Sequence, residues 1–166
     1  MTIWIVEIKE LEKLYDSFKG HLPHLEKEID QLIRTQDANV VLLYSRRCLE
    51  VIITDLCESE LRRSRKTEPL KGIIYKLHKE EKVPSYIITS MDHVNSLSTY
   101  GAHPKDFDTE QVKPVLNNLT TIIKWYLNYK MPGKDIKEKL AEEIKQEIKT
   151  SEETKKKRVS KFHRKG

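Results

Sequence analysis

"ANVVLLYSRRCLEVIITDLCESELRR", residues 38–63, decides the fold. Val40, Val41, Leu43, Tyr44, Cys48, Val51, Ile52, Leu56 and Leu61 give this stretch a wide apolar face at helical spacing. A helix apolar over so much of its circumference belongs in the middle of a bundle. Asp37 is placed to cap it, because a short carboxylate accepts from the first free backbone N–H groups of a helix. The charged run "RRSRKTE" ends it.

Upstream, Trp4, Ile8, Leu11, Tyr15, Phe18, Leu22, Leu25, Ile29 and Leu32 alternate at spacings of four and three, the pattern of a helix seam. Gly20 and Pro23 interrupt it, and proline is tolerated only in a first helical turn. Two helices are therefore expected, about 4–19 and 23–35. Their seam either packs on its own domain or pairs two chains as a coiled coil.

Downstream, "EPLKGIIYKLHKEE" reads as a shorter helix with Pro69 in its first turn and Leu70, Ile73, Ile74 and Leu77 as its stripe. Pro84 opens another through Ile87, Ile88, Met91, Val94 and Leu97, ending at Gly101 and Pro104. Asp108 or Thr109 caps the next helix, which runs to about 129 with Val112, Val115, Leu116, Leu119, Ile122, Ile123 and Tyr126 on its buried face. Pro114 fits only if that helix starts near Lys113. Beyond Pro132–Gly133 only Ile136, Leu140, Ile144 and Ile148 are apolar anchors, and Glu/Lys pairs four apart support a solvated helix. The expected fold is all-α: an antiparallel bundle of four to five core helices over 1–130, a charged helix over 131–150, and a disordered basic tail over 151–166.

Composition agrees. With 5 Gly and 6 Pro in 166 residues, turn material is too scarce for a many-stranded sandwich. The net charge of +5 is local. Seven of the 31 basic residues (Lys155, Lys156, Lys157, Arg158, Lys161, Arg164 and Lys165) and two of the 26 acidic ones lie in 151–166, which leaves 24 of each in 1–150. A neutral body is unlike a nucleic-acid-binding face. The tail is the candidate for contact with RNA or an anionic membrane surface. Cys48 and Cys57, nine apart on one helix, point to opposite faces and cannot form a disulfide. The longest apolar run is far short of a membrane span, and the start lacks the marks of a signal peptide. A cytoplasmic setting is expected.

Chemistry is sparse. Arg46 and Glu50 are four apart on the central helix, beside its apolar face, and can pair. His103, in "LSTYGAHP" (97–104), either acts as an acid–base group or ties the end of a helix to a carbonyl or to Glu50. His93 lies ten residues earlier and makes no metal pair with it, and the other histidines are scattered. No phosphate loop, nucleophile elbow or HExxH is present. Neither cofactor nor metal is expected.

"YSRRCLEVII", "PLKGIIYKL" and "NSLSTYGAHP" together resemble the HEPN superfamily of helical bundles, in a bacterial branch of unknown function. That branch occurs alone or as an N-terminal module of larger proteins, some of them restriction-enzyme subunits. The resemblance covers about residues 23–130. Its motifs are an Arg-x-x-x-Glu, matched by Arg46 and Glu50, and a small-small-His turn, matched by Gly101, Ala102 and His103. It implies a bundle that pairs as a homodimer. In active members it also implies metal-free RNA cleavage by an Arg and a His with four to six residues between them. Here positions 96, 97 and 98 are Ser96, Leu97 and Ser98, and Asn95 stands about where relatives place an Arg. Without that cation the developing phosphorane charge has no fixed partner. The expected function is therefore a non-catalytic interaction module with a protein partner, the alternative being an RNA enzyme or binder using His103, Arg46 and Glu50.

Overall fold

The computed structural model describes residues 3–98 and 108–132. Six α-helices follow in order: α1 Ile5–Phe18, α2 Pro23–Arg34, α3 Ala38–Glu60, α4 Leu70–Lys79, α5 Ser85–Ser98 and α6 Val112–Lys130. A 3-10 turn, Thr109–Gln111, precedes α6, and no strand occurs among the described residues. The protein is an all-α helical bundle. Its α3 packs against α2, α4, α5 and α6, while α1 closes over α2 and α6. The expected central helix is central.

Local chemistry sets the boundaries. Asp37 Oδ1 accepts from the N–H groups of Asn39 (2.8 Å) and Val40 (3.3 Å), so the expected cap starts α3. Gly20 takes φ +93°, open to glycine without strain, in the turn between α1 and α2. The Glu26 carboxylate accepts from Gly20 N (2.6 Å) and Leu22 N (2.9 Å), fixing that turn from the first coil of α2. After α4, Lys82 N donates to Leu77 O and Glu81 N to His78 O, with Glu81 at φ +55°. That is the helix-ending pattern usually built on glycine. Asp108 caps the 3-10 turn by accepting from Glu110 N at 3.0 Å. Pro114 then falls in the first turn of α6, where a missing donor costs no helical bond.

The N-terminal seam packs inside the chain. Trp4, Ile8, Leu11, Phe18, Leu25, Ile29 and Leu32 are all buried in the single core, with Tyr15 and Leu22 partly so. The coiled-coil alternative is thereby replaced, since the residues that would face a second helix are already covered. Two further expectations are corrected. α3 stops at Glu60, three residues short of 63, where Leu61 N still bonds Cys57 O and Arg62 turns to φ +54°. Leu43, read as part of the apolar face, is 50% exposed; Leu42, Leu49 and Ile53 fill the core instead. The expected charged helix and tail lie outside the described residues, apart from Met131 and Pro132.

Candidate functional site

Of the residues singled out, the structure places Arg46 and Glu50 on one face of α3. Arg46 Nε lies 3.6 Å from Glu50 Oε1, with the side chains 32% and 38% exposed. The pair sits at the rim of the bundle. A loose, part-solvated pair of this kind contributes at most about 1 kcal/mol. Arg46 also reaches across to α5, where its Nη1 donates to Asn95 Oδ1 at 3.3 Å. The guanidinium thus bridges α3 and α5. His103, Gly101 and Ala102 lie outside the described residues, as do Lys155, Lys156, Lys157, Arg158, Lys161, Arg164 and Lys165.

A second polar constellation was not read from the sequence. The start of α2, the second half of α3 and the end of α6 enclose a groove of about 540 Å³. At one end Arg47 Nε pairs with Glu28 Oε2 at 2.9 Å, and Glu28, on α2, is only 8% exposed. At the other end Asp55 accepts from the Tyr126 hydroxyl (2.7 Å) and pairs with Lys130 Nζ (3.1 Å). Beside it the Tyr129 hydroxyl donates to Glu60 (2.7 Å) and lies 2.9 Å from Ser59 Oγ. Trp125 and Tyr129 stack with ring centroids 5.5 Å apart. The tyrosine hydroxyls stand 69 to 71 residues from their partners on α3, which hid them. Only Tyr126 carried a signal, as an apolar-face position bearing a hydroxyl that needs an acceptor when buried.

Burial, and then the bond to the Asp55 carboxylate, push the Tyr126 phenol well above its ordinary range. Burial likewise raises the Tyr129 phenol. A phenol held neutral in this way stabilises the fold below its unfolded value of about 10, and that contribution is lost as pH rises from there toward the folded value. Wild type should therefore lose thermal stability on titration above pH 10, and Tyr126→Phe should lose less over the same interval, read by circular dichroism melts. Parallel curves would show that the hydroxyl is not held as described.

Cys48 and Cys57 are free and buried, and burial first of all raises the Cys48 thiol far out of the thiolate range. A cysteine in that state is neither nucleophile nor metal ligand. Among the described residues no group of His, Cys, Asp or Glu side chains is arranged to hold a metal ion. None of their helices is long and apolar enough to cross a membrane. No protein-family model, no curated protein and no solved structure matches the chain.

Proposed function

We infer that the chain is a non-catalytic helical interaction module of HEPN-like type that self-associates, and that it serves as the N-terminal part of a larger bacterial protein with a protein partner. The observation that carries this reading is an apolar cluster left uncovered where α1 opens. Ile3, Ile5 and Val6 are all exposed, Val6 at 65%, while Trp4 between them is buried. The neutral balance of 1–150 lets two copies approach there without charge repulsion. Four charged groups of the groove are meanwhile tied within the fold: Glu28 to Arg47, and Asp55 to both Lys130 and Tyr126. Groups so neutralised hold helices together.

One observation favours the second reading, a metal-independent RNA-cleaving or RNA-binding protein that uses His103. Arg46 stands beside Asn95 and would supply the cation that the motif lacks. A metal-free cleavage assay on mixed labelled RNA separates the two, with wild type and His103→Ala compared. The interaction module predicts no cleavage by either. Cleavage by wild type that disappears in His103→Ala would overturn it in favour of the nuclease.

A further inference from the structure

The loop from α3 to α4, "LRRSRKTEP" (61–69), carries Arg62, Arg63, Arg65 and Lys66 against one carboxylate, Glu68. Both oxygens of Glu68 are taken. Arg63 Nη1 reaches Oε2 at 2.6 Å and Lys76 Nζ reaches Oε1 at 3.0 Å. The hydrogen bond from Arg63 is the main reason that the Glu68 carboxyl titrates below its ordinary value. The loop has no further carboxylate of its own for the other three cations, and Glu80, just after α4, acts on Arg63 from outside it. Arg65 turns back on the chain, its Nε donating to Glu68 O (3.0 Å) and its Nη1 to Thr54 Oγ1 (3.5 Å).

What the loop leaves over is a set of unused donors. Arg62, Ser64, Lys66 and Thr67 make no hydrogen bond or ion pair among the described residues, so two cations, two hydroxyls and their backbone N–H groups are free. Arg63 Nη2 is covered and also lacks an acceptor. Residues 63–68 bound a hollow of about 530 Å³. Two backbone bonds tie the chain around it, Arg63 N to Cys57 O (3.5 Å) and Glu68 N to Arg65 O (3.1 Å), and Arg62 and Lys66 both sit at φ +54°. A fixed concavity of backbone and guanidinium donors with excess positive charge is the chemistry that receives a phosphate.

We propose that the α3–α4 loop is a binding site for one phosphate group, either inorganic phosphate or the terminal phosphate of a small phosphomonoester. The charge matches, because a phosphomonoester carries about −1.5 to −2 at neutral pH. The surroundings favour a single group over a nucleic-acid strand. Arg65 also lines the groove described above, whose walls bear Glu28, Glu50, Asp55 and Glu58. A polyanion running on from the loop would meet those carboxylates.

The test is amide-resolved NMR titration of the full chain at fixed ionic strength, in separate arms with inorganic phosphate, adenosine monophosphate and a single-stranded RNA decamer bearing a 5′-hydroxyl. Saturable shifts at residues 62–67 are expected with phosphate, adenosine monophosphate or both, and the tighter arm identifies the source. Lys66→Ala, which removes the one lining cation whose side chain has no partner among the described residues, should weaken that binding about tenfold or more, each tenfold being about 1.4 kcal/mol. Lys66 is exposed, so the variant keeps its fold. Lys79→Ala/Lys82→Ala, in the turn after α4, should change affinity less than about twofold, because neither lines the hollow. Absence of saturable shifts with both small ligands would overturn the site. So would wild-type affinity in the loop variant, or tighter binding of the decamer through the same residues.

Discussion

Ile52→Ala should lower the unfolding free energy by about 3 kcal/mol, as expected for truncating a fully buried isoleucine to alanine. Ile52 is wholly buried on α3, the helix that touches four of the other five. For a chain of this length the loss corresponds to roughly 6–12 °C in Tm. The comparison that gives the number meaning is Leu43→Ala, nine residues earlier on the same helix. Leu43 is half exposed, so its removal should fall within about 0.5 kcal/mol of wild type in chemical denaturation. Equal losses at the two positions would contradict the orientation of α3.

The next largest effect is expected at Arg47. Removing one partner of a fully buried ion pair costs about 3–5 kcal/mol, because the remaining charge is stranded. The Arg47 side chain is 47% exposed while that of Glu28 is 10% exposed, so water screens one side of this pair only. Arg47→Met, which retains the packing of the aliphatic stem, should therefore destabilise by about 2 kcal/mol. Some of that comes from losing the guanidinium over the Tyr44 ring, 5.4 Å from its centroid. Glu28→Met/Arg47→Met should recover most of the loss, since no carboxylate is then left unpaired in the α2–α3 interface. A double variant no more stable than Arg47→Met would mean that Glu28 costs nothing when left alone.

Helical periodicity made most of the bundle legible. The apolar spacing placed α1 and α2 to within one residue at each end, and Gly20, Asp37 and Asp108 marked turns and caps through their own backbone and side-chain chemistry. Leu43 escaped because periodicity counts apolar residues without showing which neighbours exist to cover them. The seam over Trp4–Leu32 fits an intrachain core and a coiled coil equally well in one dimension. The positions of α6 against α1 and of α3 against α2 separate the two.

The groove was illegible for a different reason. Asp55 looks like any carboxylate at the edge of a stripe until Tyr126 and Lys130 arrive from 71 and 75 positions away. Net charge conceals such pairs, since a balanced body reads the same whether its charges are scattered or matched. In the loop after α3, charge alone was visible. The pairing of Glu68 with Arg63 and Lys76, which leaves Arg62 and Lys66 free, depends on the fold.

Self-association through the opening turn of α1 is best tested by sedimentation equilibrium of wild type and Val6→Glu over a wide concentration range. A glutamate in that first turn suits the helix N-terminus, so the variant should fold normally while placing a charge in the apolar cluster. Wild type should form a dimer as concentration rises, with association in Val6→Glu at least about tenfold weaker, as expected when a charge is buried without a partner. A wild type that stays monomeric throughout, or a variant that pairs as tightly, would contradict an interaction surface made of Ile3, Ile5 and Val6.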